Sequence, residues 1–296
     1  MNHLMRELAP ITDGAWSQID DEASRSLKHY LAARRLVDFA GPLGWEFSAV
    51  DVGRIEAIDA DSLGVEVARR QVLPLVELRA PFSLERAELA AADRGATDLD
   101  LDPVIAAGRA AALAEDHLVF HGYPAGGVAG MITASPHEKV AISDDYSHYP
   151  EHVARAVAAL RAADISGPYA IALGARCYTG VTETTEHGGY PVFEHLRQIL
   201  EGPVVWAPAV DGAVVLSQRG GDFELTIGED FSLGYRSSDA TAVALYIEES
   251  LTFRINTAEA AVHLAYLSHR AGRTSRSGGD VRKAPRWTVG RPTGRA

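Results

Sequence analysis

The chain has 296 residues, is 47% hydrophobic and 23% charged, and carries a net charge of −12, which suits an ordinary soluble chain able to bury a sizeable core. No stretch reaches the roughly 18 consecutive apolar residues of a membrane span, and Arg6 and Glu7 stand where a secretory leader would turn apolar, so no membrane insertion and a cytoplasmic location are expected. The single cysteine, Cys177, excludes an intrachain disulfide and a multi-cysteine metal cluster and reads as a small, partly buried thiol.

In chain order, the first element is a helix. Asp13 can cap it, and Trp16, Ile19, Ala23, Leu27, Tyr30 and Leu31 recur at three- and four-residue spacing. Glu46 to Ile58 alternates as a strand, Val67 to Leu78 returns as a second extended run, and the turn-rich Asp59 to Gly64 joins them, so the pair reads as a long hairpin. Asp102-Pro103 opens an alanine-rich helix that stops at Gly122, because proline tolerates the first helical position. A further helix starts near Pro150, carries Val153, Val157 and Leu160, and ends before Gly167-Pro168.

A strand follows from Tyr169 to Leu173, then a helix from about Val192 to Leu200 closed by Gly202. Val204 to Trp206, Ala213 to Leu216, Phe223 to Ile227 and Ala242 to Phe253 read as strands. Helices and strands intermix without a regular βαβ cycle, so the fold class is α+β. From Ser268 onward eight basic residues face the single acid Asp280. This stretch carries seven net positive charges and leaves −19 for the rest, and its few large apolar groups predict a flexible basic extension suited to anionic surfaces or nucleic acid.

Sharp catalytic signatures are lacking. Glu183-Thr184-Thr185-Glu186-His187 could ligate a metal or run acid/base chemistry if helical. A metal would need a third convergent ligand, and Gly188 and Gly189 beside the imidazole favour a loop. His148-Tyr149-Pro150-Glu151-His152 sits at a helix start, where polar side chains satisfy free backbone N–H groups. Gly126-Gly127 and Gly220-Gly221 lack the spacing that cradles phosphate.

Several motifs are nevertheless specific as an ordered set. They are Leu8-Ala9-Pro10-Ile11-Thr12 with Trp16, Ile19 and Asp20, then Arg34-Arg35-Leu36-Val37-Asp38 leading to Gly41-Pro42-Leu43-Gly44-Trp45-Glu46. Further along come Leu78 to Phe82, Asp93-Arg94-Gly95, Glu115-Asp116, Ser166 to Tyr169, His187 with Tyr190-Pro191, Trp206-Ala207-Pro208, Arg219 to Phe223 and Leu233-Gly234-Tyr235. In order and spacing they resemble the encapsulins, bacterial shell proteins with the HK97-type fold of tailed-phage capsids that close into icosahedral compartments around a cargo enzyme.

That resemblance implies a non-enzymatic shell subunit with a peripheral domain, an axial domain and an extended loop. The expected segments are 1–45 for the N-terminal helix and start of the peripheral domain, 46–78 for the extended loop, 79–130 peripheral, 131–222 axial, 223–267 peripheral and 268–296 for the basic extension. It further implies self-association into sixty subunits or a multiple, with the hairpin pairing between neighbours. Glu183, Thr184, Thr185, Glu186, His187, Gly188, Gly189 and Tyr190 would line a five-fold pore. A groove formed by Leu27, Leu31, Arg34, Asp38, Phe231 and Leu233 would take the C-terminal targeting peptide of the cargo, a dye-decolourising peroxidase or a ferritin-like iron oxidase.

Family chains commonly stop near Leu267, so the basic extension departs from the pattern. As an outer coat it would make weak contact with nucleic acid. Some relatives bind flavin through an aromatic residue in the segment matched by Glu85 to Leu89. Ala87 offers no stacking surface there, so no cofactor and no resident metal are expected. The alternatives are a phage or prophage capsid subunit that packages DNA, and a stand-alone hydrolase or metalloenzyme built on Glu183, Glu186 and His187.

Overall fold

The computed structural model describes residues 3–58, 64–186 and 188–266. Helix α1 (Asp13–Tyr30) is capped by the Thr12 side chain, which accepts the Ala15 N–H at 3.3 Å. Asp13 is therefore the first helical residue, where its charge meets the positive end of the helix dipole, and the expected cap moves one residue back. The α1 stripe is buried at Trp16, Ile19, Ala23 and Leu27, and each of the large side chains contributes about 1.5–3 kcal/mol on leaving water. Strand β1 (Asp38–Ala40) follows a 3-10 turn.

Strands β2 (Ala49–Ile58) and β3 (Val67–Pro74) pair antiparallel, with a bulge in β2 between Asp51 and Ile55. The second extended run does not continue to Leu78 within this hairpin. Pro74 has no N–H to extend the ladder, Leu75 donates to the Ser48 carbonyl, and from Val76 the chain joins another sheet as β4 (Val76–Glu85). Ile55, Ile58, Val67 and Val72 on the hairpin are exposed, Ile55 by 71%. Helix α2 (Arg86–Asp93) leads to α3 (Asp102–His121), which has proline in its first turn and ends at Gly122. The short pair β5 (Gly122–Tyr123) and β6 (Val128–Ala129) then precedes the single-turn helix α4 (Met131–Ala134).

The next segment comprises β7 (Val140–Ile142), α5 (Tyr149–Ala162), β8 (Tyr169–Leu173), α6 (Ala175–Glu183), α7 (Val192–Leu200), β9 (Val204–Trp206) and β10 (Ala213–Ser217). Helix α7 ends on Glu201 in a left-handed conformation, φ 57°, so Gly202 is not its cap. Gly202 is needed for space: a Cβ there would stand 2.2 Å from the Tyr169 carbonyl oxygen. The chain finishes with β11 (Phe223–Ile227), β12 (Ser232–Ser238), β13 (Ala242–Ile255) and β14 (Ala261–Tyr266).

Two sheets organise these elements. In the first, β13 pairs with β4 along one edge and with β12 and β11 end to end along the other, and β1 lies parallel to β11. Helices α1 and α3 pack over it, joining Trp16, Ile19, Val104 and Ala112 to Leu84, Val243, Leu245 and Ile247. The second sheet has the order β7-β14-β10-β8-β9, and β8 and β10 are buried along their whole length beneath α5 and α7. The last strand, β14, lies inside the second sheet, between β7 and β10. Residues 261–266 return there because β7 and β10 present two free edges, one on each side. The whole is an α+β arrangement, as expected. Among the described residues no helix is long and apolar enough to cross a membrane, and the basic stretch 268–296 lies outside them.

Candidate functional site

The C-terminal half of α1, the N-terminal segment and the start of β12 enclose a groove of about 360 Å³. Its apolar lining includes Leu4, Leu27, Leu31, Phe231 and Leu233, and Arg6, Asp20, Lys28, Arg34 and Asp230 supply charge. The walls are held by local bonds. Leu4 accepts the Tyr235 N–H, pinning the N-terminal segment to β12, and Arg6 pairs with Asp20 at 2.7 Å while lying 4.0 Å above the Trp16 ring.

Arg34 closes one end of the groove. Its Nε and Nη2 both donate to Glu115 Oε2 at 2.8 and 2.7 Å, Nε also reaches Oε1 at 3.1 Å, and Nη2 bonds Asp230 at 2.8 Å and Glu249 at 2.5 Å, while the guanidinium lies over the rings of Phe39 and Phe231 at 5.2 and 5.1 Å. Glu115 and Glu249 are fully buried. Burial pushes the Glu115 carboxyl up against the pull of Arg34. Burial also pushes Glu249 well above the ordinary carboxylate range, with Glu115 beside it adding to the rise and Arg34 opposing it. Next to Glu115, Asp116 accepts the N–H groups of Ala32 and Ala33 at 2.9–3.1 Å, satisfying a buried turn directly after α1. Its carboxyl is pushed up to about 7, chiefly by burial.

Five of the six groove residues expected from sequence thus come together, and Asp38 does not. It lies on β1, where its carboxylate accepts the Gly221 N–H at 2.6 Å. The neighbouring motif is also held by local contacts: Arg219 folds back on Asp222 at 2.7–3.0 Å, and Phe223 stacks on Phe253 in the core. Glu115, Asp230, Glu249 and Leu4 were missed. The available signals were two pairs of adjacent acids, Glu115-Asp116 in an alanine-rich helix and Glu248-Glu249 in an apolar strand, since buried carboxylates need partners.

The segment after α6 is a closed loop. Glu183 is the exposed last residue of α6, Thr185 bridges Pro191, Glu186 donates its N–H to the Tyr190 carbonyl, and Gly188 and Gly189 take φ of 114° and 82°. Thr184 donates its hydroxyl to the Gly180 carbonyl. Glu186 pairs with His195 on α7, Oε1 to Nδ1 at 2.6 Å, and Tyr190 accepts from Gln198 at 2.8 Å. His187 lies outside the described residues, and His195, missed from sequence, is the imidazole seen with Glu186.

The remaining motifs resolve as structure. Asp145 caps the turn before α5 by accepting from Ser147 and pairs with His148. Cys177 is fully buried, 3.2 Å from the Tyr266 hydroxyl. Gly122 and Gly130 lie backbone to backbone, where a Cβ on either would clash at 2.1–2.5 Å. Ala87 is an exposed residue of α2.

This fold resembles that of a virus-like particle from Pyrococcus furiosus, with a TM-score of 0.61 at 19% identity over 84% of this chain and 98% of that one. The family described as "Encapsulating protein for peroxidase" matches residues 1–252. A type 1 encapsulin shell protein from Rhodospirillum rubrum is 52% identical over 92% of this chain and 99% of its own length. The chain belongs to the type 1 encapsulin shell proteins. A second encapsulin shell protein, from Mycolicibacterium paratuberculosis, is 47% identical over 89% of this chain and 99% of its own length. The two sheets and the projecting hairpin are accordingly those of an HK97-type capsid fold, and the relatives are named for a structural role, not a catalytic one.

Proposed function

We propose that this chain assembles into a closed icosahedral shell of sixty subunits, or a multiple, and retains a cargo enzyme through a C-terminal targeting peptide seated in the α1–β12 groove. The observation that carries the reading is the groove itself. An apolar trough between Leu27, Leu31, Phe231 and Leu233 ends in a charged cluster around Arg34, which suits a short peptide that alternates aliphatic and charged side chains. The family's description favours a peroxidase as cargo over a ferritin-like protein.

In this shell the second-sheet unit is the axial domain and the first-sheet unit the peripheral domain. The loop 183–190 gathers around a five-fold pore, where the Glu186–His195 pair sets the charge facing small solutes. The hairpin β2–β3 buries its exposed Ile55, Ile58 and Val72 against a neighbouring subunit, since a lone two-stranded ribbon is marginal in water. The extension 268–296 then lies outside the shell and makes weak, salt-sensitive contacts with nucleic acid.

Negative-stain microscopy with mass determination tests the shell: hollow particles are expected, and a monodisperse monomer or dimer overturns it. Co-purification of a peroxidase bearing its own C-terminal peptide tests the groove. Wild type retains it, Leu31→Asp shells lose it, and retention by intact Leu31→Asp shells would refute the peptide site.

A further inference from the structure

His3, Glu229 and Glu248 meet from three distant stretches of chain. His3 precedes the segment pinned through Leu4 to β12. Glu229 sits in the connection between β11 and β12, with its N–H bonded to Ser250 Oγ at 2.9 Å, and Glu248 lies on β13 opposite Ser232. His3 Nε2 is 2.7 Å from Glu229 Oε2 and 3.4 Å from Glu248 Oε1, and one ligand atom from each residue lies within 4.8 Å of the other two.

The Glu248 side chain is 1% exposed. Arg79 takes its Oε2 at 2.6 Å, and its Oε1, aimed at the cluster, has no hydrogen-bonding partner among the described residues. His3 Nε2 and Glu229 Oε2 are likewise sealed from solvent and, despite their closeness, do not meet in hydrogen-bond geometry. Three buried polar atoms that converge without an aligned hydrogen bond between them form an arrangement that a cation completes.

We propose that His3, Glu229 and Glu248 form a binding site for a divalent transition-metal cation of the Zn²⁺ class. One imidazole nitrogen and two carboxylates match the donor set of that class, and the two carboxylates balance its charge. The outer contacts serve the same end. The His3 ring stacks on Trp45 at 3.9 Å and 9°, which fixes its plane, and Arg79 orients Glu248 through its second oxygen. A bound ion joins the extreme N-terminal segment to β13. Leu4 and Arg6, immediately beyond it, line the groove, so the site fastens one groove wall to the sheet.

The test uses untagged, chelator-stripped, assembled full-length protein titrated calorimetrically with ZnCl₂, with metal counted per chain after dialysis. Wild type is expected to bind one tightly held Zn²⁺ per chain, undisplaced by excess Mg²⁺. His3→Ala and Glu229→Gln, both at partly exposed positions outside the core, each weaken that event by more than the roughly 10–100-fold that loss of an outer-shell partner costs. His148→Ala, which removes a surface imidazole beside Asp145, leaves it intact. Absence of a stoichiometric tight event in wild type, or its persistence in both His3→Ala and Glu229→Gln, overturns the site.

Discussion

Replacing Arg34 by methionine removes the cation that Glu115, Asp230 and Glu249 share while keeping most of the side-chain volume. Asp230 is 42% exposed and regains water, so the loss concentrates on the fully buried carboxyls, chiefly on Glu115, which takes the most hydrogen bonds from Arg34. Stripping the partner from a buried ion pair costs ~3–5 kcal/mol. Protonation limits the damage: holding a glutamic acid neutral at pH 7 against its ordinary pKa costs ~3.5 kcal/mol, at about 1.4 kcal/mol per unit.

The two routes agree, and the expected loss near neutral pH is ~3–4 kcal/mol. Its pH dependence has a definite sign. In the variant the folded pKa of Glu115 rises further above its unfolded value, so the folded state binds the extra proton. The penalty is therefore full at high pH and fades as pH falls toward the unfolded carboxylate value. Guanidinium unfolding followed by tryptophan fluorescence at pH 7.5 and pH 5 measures it. A loss below about 1 kcal/mol at pH 7.5, or one equal at both pH values, would refute the reasoning. Arg34→Met with Glu115→Gln should recover part of the loss, because an amide needs no counter-ion.

Asp116, with its carboxyl pushed up to about 7, binds a proton in the folded state that the unfolded chain has already lost. Stability should therefore fall as pH rises from about 4 to about 7, by up to ~1.4 kcal/mol per unit, and Asp116→Asn should flatten melting curves across that window. Gly202→Ala drives a Cβ into the Tyr169 carbonyl and should cost ~1–3 kcal/mol in denaturant midpoint by overpacking; an unchanged midpoint would show that α7 shifts freely against β8. Ile55→Asp, at a side chain 71% exposed in the subunit, should leave circular dichroism unchanged yet abolish particles in light scattering. Wild-type-like particles would remove the hairpin from the assembly contact.

Local pattern alone carried the strand β8, the helix α7, the ends of α3 and the apolar face of α1. Each is set by periodicity and by neighbours within a few residues, and the ordered short motifs carried the family. Of the groove, the α1 stripe carried Leu27 and Leu31, whereas the groove itself, with Arg34, Phe231 and Leu233, was expected only through the resemblance to the encapsulins.

The rest depended on contacts between residues far apart in the chain. The run Val67–Leu78 breaks at Pro74 because β4 finds its partner in β13. Strand β14 enters the second sheet because two edges are free there, and a short apolar run does not encode which edge it will fill. Asp38 turns to Gly221, and Glu186 meets His195. The carboxyls around Arg34 come from α3, β13 and the turn before β12. A side chain's charge is written locally, whereas its counter-ion, burial and proton affinity are properties of the folded neighbourhood, and these were decided by the tertiary structure.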